Sequence, residues 1–329
     1  MHEFDAELDA LADKILEYSL VRLKKDPPLD GPWTYDDLYA EAGETITEDG
    51  IGGERALELF ERVLAKACIS TDHPRYLAFI PSAPSESSNL FDLVVGASAL
   101  YGGSWLEGAG AVFAENQALK WLIDLAGLPK SAGGVFVQGG SLGNLSALVT
   151  ARHTAITERQ KKGIKLPKRW SIIASSESHS SLKAAARVMD IDIVLAKADE
   201  DGRLRGKAVT EAAKGIKDGL FAIVATAGTT NFGIVDKLDE IGKVAKSLKV
   251  WYHVDGAYGL AGILSPTSRQ LFKGAELADS FIVDPHKWLF TPFDCCALVY
   301  RNPKLGAIAH TQHGEYLDFI EYSMRYLVI

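Results

Sequence analysis

Lys287 sits in Ser280-Phe-Ile-Val-Asp-Pro-His-Lys-Trp-Leu289, just beyond the short apolar run Phe281 to Val283. Taking an ammonium out of water costs on the order of several kcal/mol unless it is paired or neutral. A lysine at the end of a buried strand therefore either snorkels its charge to the surface or is kept partly neutral, as a nucleophile. Upstream, Val250-Trp-Tyr-His-Val-Asp255-Gly-Ala-Tyr258 ends an apolar run on a carboxylate, and Gly133-Gly-Val-Phe-Val-Gln-Gly-Gly-Ser-Leu-Gly-Asn144 leads into a helix through a glycine-rich turn. An imine-forming lysine, an acid for a pyridinium nitrogen and an anion cradle at a helix start are the parts needed to hold pyridoxal 5'-phosphate.

Each part also has a plainer reading. Gly139, Gly140 and Gly143 let backbone approach a phosphate, Ser141 offers a hydroxyl, and the helix from Asn144 or Leu145 aims free N–H groups at it. The same stretch matches Gly-x-Ser-x-Gly, the nucleophile elbow of serine hydrolases, with Asp255 and His286 following in Ser, Asp, His order. Asp255 at a strand end would keep a pyridine nitrogen protonated so that the ring accepts the electrons of a breaking bond, or it is a turn-forming acid. His179, in Ser176-Glu-Ser-His-Ser-Ser181, is placed to stack on a flat ring or simply to start a helix. Thr226, in Val224-Ala-Thr-Ala-Gly-Thr-Thr230, is a donor to a ring or substrate oxygen, or ordinary turn chemistry.

The elements that would position these residues are legible from periodicity. Phe4, Leu8, Leu11, Ile15 and Tyr18 fall on one stripe of a helix over residues 3–24, ended by Pro27, Pro28 and Pro32, which packs on a second subunit or on its own domain. A second helix is expected from Glu54 to Ala67. His73 to Ser88 reads as a structured loop suited to lining a pocket, and Ala109 to Leu125 as a helix stopped by Gly127 and Pro129. From Gly134 onward, β-rich runs (Val135-Phe-Val, Trp170-Ser-Ile-Ile, Asp192-Ile-Val-Leu, Phe221-Ala-Ile-Val-Ala, Val250-Trp-Tyr-His-Val, Ser280-Phe-Ile-Val) alternate with helical segments such as Leu145 to Lys162 and Leu238 to Leu248. That alternation predicts an α/β fold with a mainly parallel sheet flanked by helices. In such sheets the ligand lies beyond the carboxyl ends of the strands, where Ser141, Asp255 and Lys287 all fall.

With 329 residues, 47% of them hydrophobic and 24% charged, the chain has an ordinary globular composition and enough length for a large core. A net charge of −8 argues against nucleic acid or an anionic membrane as partner and for a small molecule. Cys68, Cys295 and Cys296 make neither a disulfide framework nor a zinc-ligand spacing, so no metal is expected and the compartment reads as reducing. The acidic start and the short apolar runs give neither a signal peptide nor a membrane span, and the expectation is a cytoplasmic protein.

Taken together, Gly-Gly-Ser-Leu-Gly-Asn, Ser-His-Ser-Ser, Ala-Thr-Ala-Gly-Thr-Thr, His-Val-Asp-Gly-Ala-Tyr and Asp-Pro-His-Lys-Trp-Leu resemble, in order, the motifs of the pyridoxal-phosphate-dependent group II amino-acid decarboxylases, from about His73 to Asp318. The resemblance implies a fold-type-I, transferase-like large domain with an N-terminal helical arm, in a homodimer with sites at the subunit interface. It implies that Lys287 forms the Schiff base, Asp255 partners the ring nitrogen and His179 stacks on the ring. Gly140 and Ser141 then match the phosphate cradle, Ala257 the small residue beneath the ring, Thr226, Ser82 and His286 further cofactor contacts, and the reaction releases carbon dioxide from an amino acid to leave its amine.

The domain division expected on this basis is a helical arm over 1–72, a cofactor-binding domain over 73–310 and the start of a C-terminal region over 311–329. Two features depart from the family. Asp284 stands where many relatives have Asn, and an acid beside a phosphate is unfavourable, so it is left outside the predicted site. Relatives continue past a segment like His310 to Asp318 into a mobile loop and a small C-terminal domain, whereas this chain ends at Ile329. Tyr322 and Arg325 have the chemistry of the loop tyrosine and the carboxylate-binding arginine without a position to match. The expectation is a written cofactor site with incomplete turnover machinery, and the alternatives are the serine hydrolase and a non-catalytic paralogue that dimerises.

Overall fold

The computed structural model describes residues 4–73, 75–76, 78–103 and 105–311; Tyr322 and Arg325 lie outside them. Two compact units are present, Met1–Glu86 and Ser87–Ile329.

The first unit is helical. Helix α1, Ala6–Lys24, starts where Asp5 Oδ1 accepts the Leu8 N–H at 2.8 Å, satisfying one of the free amides of its first turn. It ends before Pro27, as the prolines require. The short α2, Tyr35–Ala42, capped by Thr34, has no counterpart in the sequence expectation. Helix α3, Gly53–Leu59, runs on into a π-helical turn, Phe60–Leu64, which together fill most of the span predicted from Glu54. The stretch before Glu86 is irregular, as its prolines and serines suggest.

Helices α4, Glu86–Ala97, and α5, Trp105–Ala126, lead into the second unit's sheet. The non-helical backbone of Gly108 kinks α5, and Gly127, at φ +73°, ends it. There follow β1 (Gly133–Val137), α6 (Gly139–Lys161), β2 (Ser171–Ser175), α7 (Ser180–Val188), β3 (Asp192–Ala196), α8 (Gly206–Lys214) and β4 (Leu220–Thr226). The chain continues through α9 (Leu238–Leu248), β5 (Trp251–Asp255), β6 (Ser280–Val283), the single turn α10 (Pro285–Trp288), β7 (Cys296–Tyr300) and α11 (Pro303–His310).

The seven strands form one sheet in the order β1-β7-β6-β5-β4-β2-β3. The block β6-β5-β4-β2-β3 is parallel, and β7 lies antiparallel to both β1 and β6, which makes those two parallel to each other. All the expected strands are present; β7 is the addition. The sheet is the middle of three layers. Because side chains alternate across a strand, Ile173, Ile223, Val254 and Phe281 face one core with Leu119 and Ile123 of α5 and Leu238 and Ile241 of α9. Ile172, Phe221, Val224 and Ile282 face the other with Leu148 of α6 and Leu182 of α7. Every residue of β2, β5, β6 and β7 is buried, as strands covered on both faces must be. No helix among the described residues is long and apolar enough to cross a membrane.

Candidate active site

The parallel strands end together, and Thr226, Asp255, His286 and Lys287 fall at or just beyond those carboxyl ends. Asp255 closes β5 beside Thr226 of β4, its register partner. Val283 ends β6, and the chain turns through Asp284 into α10, which carries His286 and Lys287. The Asp284 N–H donates to the Ala257 carbonyl at 2.9 Å, tying this turn to the loop after β5.

Helix α6 enters from β1 through Gly139, whose φ of +72° is the left-handed conformation that glycine adopts freely. A Cβ on Gly140 would stand 3.0 Å from Asp284 Oδ2 and 3.2 Å from Ala257 Cβ. One on Gly143 would lie 2.8 Å from Cys296 Sγ and 2.9 Å from Ile282 Cγ2, so the glycines bring the helix start hard against the ends of β6 and β7. Ser141 is exposed in the first turn.

Lys287 Nζ lies 2.9 Å from Asp284 Oδ2, with Asp284 buried and the lysine side chain 22% exposed. Asp284, which the sequence expectation left outside the site, is thus the ion-pair partner of Lys287. The lysine three residues on supplies its counter-charge. Asp284 Oδ1 and Thr226 Oγ1 are buried with no hydrogen-bond partner among the described residues. His286 packs its ring on Phe293, with Nε2 3.9 Å from Asp284 Oδ2 and Nδ1 2.9 Å from the Cys295 carbonyl.

Below Asp255 lies a buried polar group that the sequence did not single out. Asn144 Nδ2 donates to Asp255 Oδ2 at 2.9 Å and to Ser181 Oγ at 3.0 Å, and its Oδ1 is 2.9 Å from His253 Nε2. The other carboxylate oxygen accepts the Ala257 N–H at 3.2 Å. His253 Nδ1 and Trp251 Nε1 both reach Ser280 Oγ at 2.8 Å. Burial pushes the His253 imidazole down to about 4, so it is neutral at physiological pH. His179 caps α7 and is exposed, its Nδ1 accepting the Ser181 N–H at 3.2 Å and lying 2.9 Å from Ser181 Oγ. The available signal was positional: His253 is two residues before Asp255 on one strand face, and Asn144 is one turn from Gly140.

Ser82 lies on irregular backbone of the first unit and is half-buried. Ser141, His286 and Asp255 are not joined in a relay, since Asp255 is held by Asn144 and the Ala257 N–H while His286 Nδ1 meets the Cys295 backbone. The serine-hydrolase alternative is not supported.

Residues 46–326 match the family described as "Pyridoxal-dependent decarboxylase conserved domain". The chain belongs to this family. It is 31% identical over 301 residues to the aromatic-L-amino-acid decarboxylase of Bacillus atrophaeus, an alignment covering 89% of this chain and 61% of that protein. The fold is similar to the crystal structure of mouse CSAD, with a TM-score of 0.84 at 26% identity over 94% of this chain and 66% of that one. It is also similar to the crystal structure of Oryza sativa TDC with PLP and tryptamine, with a TM-score of 0.85 at 25% identity over 96% and 68%. The chain thus spans about three fifths of the bacterial relative's length.

Proposed function

We propose that this chain holds pyridoxal 5'-phosphate through Lys287 and decarboxylates an amino acid to its amine and carbon dioxide. The observation that carries the reading is the meeting of Lys287, Asp255 and the glycine-lined start of α6 at one edge of the sheet, with Asp284 bridging the lysine and the glycines. The residues fit the cofactor. The glycine turn that enters through Gly139 and the free amides of a 23-residue helix suit a phosphate, and Ser141 adds a hydroxyl. Thr226 Oγ1 and Asp284 Oδ1, buried and unpartnered among the described residues, await polar partners. The Asp284 charge, unfavourable near a phosphate, is offset by Lys287 at 2.9 Å.

When bound, the cofactor supplies an electron sink for the pair left as the α-carboxylate bond breaks. Asp255 holds a proton on the ring nitrogen, and its own position is fixed from both oxygens. His179 would stack on the ring, and Ala257 would supply the small residue packed against it. Lys287, beside Asp284, would attach the cofactor through its amine and would return a proton to the substrate carbon. His286 completes the contacts on this reading. Three free cysteines and the acidic composition support a cytoplasmic, reducing setting, and uncovered apolar helix faces support a homodimer.

The test adds pyridoxal phosphate to the purified chain, records the visible absorbance, reduces with borohydride and maps the modified peptide by mass. Label on Lys287 is expected, with none in Lys287→Ala. Amine formation is then measured across a panel of amino acids, beginning with the aromatic ones on which the bacterial relative's name bears. Well-folded chain without label at Lys287 would sink the proposal.

A further inference from the structure

We infer that Asn144 is a positioning residue that couples the Asp255 carboxylate to His179, as the branch point of a buried hydrogen-bond chain with one arm ending on the carboxylate and the other on the histidine. The inference rests on the reading of Asp255 and His179 as the cofactor's two ring contacts.

The direction follows from which groups can only donate or only accept. A carboxylate only accepts, so the atom of Asn144 at 2.9 Å from Asp255 Oδ2 is its amide nitrogen, and the atom facing His253 is its carbonyl oxygen. That oxygen accepts, so His253 carries its proton on Nε2. Neutral imidazole has a single N–H, which leaves Nδ1 bare. Nδ1 at 2.8 Å from Ser280 Oγ must then accept the serine hydroxyl proton. Ser280 Oγ in turn accepts the Trp251 indole N–H, which is donor only, at 2.8 Å. With His253 neutral, the sequence of donations runs from Trp251 through Ser280, His253 and Asn144 to Asp255.

The second proton of the same amide goes to Ser181 Oγ at 3.0 Å. With that oxygen accepting, the Ser181 hydroxyl donates to His179 Nδ1 at 2.9 Å, where the Ser181 backbone N–H arrives as well. His179 is thereby fixed with its own proton on Nε2. One amide thus sets the orientation of both ring contacts and the tautomers of both histidines. Asn144, Ser181, His253, Ser280 and Asp255 are all nearly inaccessible to water, so no solvent molecule substitutes for a missing partner at low cost. The burial that keeps His253 neutral acts in the same sense, because an imidazolium would place a proton on Nδ1 against the Ser280 donor.

The experiment is nitrogen-15 NMR of the histidine rings in the full chain at neutral pH, with His253→Gln and His179→Gln used for assignment. Both rings are expected to show a protonated Nε2 and a bare Nδ1. A protonated Nδ1 at His253 would overturn the inference, and this readout needs no variant at position 144 and no cofactor. Asn144→Leu, similar in size but without donors or acceptor, is expected to release the His253 tautomer into exchange and to weaken pyridoxal phosphate binding at least tenfold. Thr150→Val, which alters a contact of the same helix with Tyr300 on the far side, is expected to change neither. An unmoved His253 tautomer in a folded Asn144→Leu chain would also overturn it. Failure of the Lys287 label in the wild-type chain would remove the cofactor reading while leaving the tautomers to report on the chain of donors.

Discussion

Asp284 and Lys287 illustrate how a site residue acquires its meaning from one neighbour. The carboxylate is buried, and among the described residues its only charged partner within 3 Å is the lysine ammonium at 2.9 Å. Replacing the lysine by methionine leaves an uncompensated buried charge, which for a fully buried pair costs roughly 3–5 kcal/mol. With 22% of the lysine side chain exposed, solvent screens part of this, and Lys287→Met is expected to lower stability by about 1–3 kcal/mol. Adding Asp284→Asn to it should restore part of the loss, because the stranded charge is gone. A double-mutant cycle by urea unfolding measures the coupling, and additive losses would show that the pair does not act as one. Gly143→Ala is a second case at this scale. The new methyl would meet Cys296 Sγ at 2.8 Å and Ile282 Cγ2 at 2.9 Å, both in a buried layer, so overpacking of about 1–3 kcal/mol is expected in the urea midpoint.

At the scale of elements, the loop between β4 and α9 is anchored by Asp236, whose two oxygens accept the Leu204 and Thr226 N–H groups at 2.7 Å each. Burial, against the pull of those amides, pushes its carboxyl from 3.8 up to about 7. A carboxyl raised in this way binds more protons folded than unfolded, so its contribution is fully present below about pH 3.8 and is lost as pH rises toward 7. Asp236→Asn is expected to remove that slope and to lower stability by about 1–3 kcal/mol, since the amide nitrogen turns toward one of the two donors. Urea midpoints at pH 4.5 and 7.5 for both chains decide it: equal slopes would assign the titration elsewhere. Asp236 was invisible to sequence reading, because an acid in a glycine-rich loop looks like turn chemistry until its burial is known. The sheet's parallel strands were legible, since Ile172-Ile173 or Phe281-Ile282-Val283 have no reading but a buried strand when spaced by helices. β7 was not, although Cys296-Ala-Leu-Val-Tyr300 is equally apolar. It is joined to β6 by one helical turn and a loop, outside the β–α alternation on which the other assignments rested. Lys287, Asp255 and the glycine turn were legible for a related reason: each sits where a strand stops, a local event. Asn144 and His253 lie 109 residues apart and acquire their roles only by meeting in the core.

For the whole molecule, the question raised by these surfaces is what covers them. Helix α1 buries none of its residues, and Leu8, Ile15, Leu16, Leu20 and Val21 are each about two-fifths or more exposed. In the second unit, α4 leaves Leu90, Phe91, Val94 and Val95 more than 40% exposed. Single exposed aliphatics are ordinary, but runs on one helix are what oligomer interfaces bury, commonly about 1,600 Å² in total. Leu11 and Tyr18 of the same helix are half-buried, and for the exposed residues a second copy of this chain is the partner the homodimer proposal requires. Sedimentation at micromolar concentration should give twice the 35.6 kDa of the chain. Leu8→Glu with Ile15→Glu adds charge to α1 without disturbing any residue buried within the chain, so the folded monomer is expected to survive while the dimer dissociates. A wild-type chain that sediments as a monomer, or a doubly substituted one that remains dimeric, would assign the α1 stripe to something other than the subunit contact. Because circular dichroism reports the fold separately from mass, loss of helix content in the substituted chain would instead show that α1 packs within its own subunit.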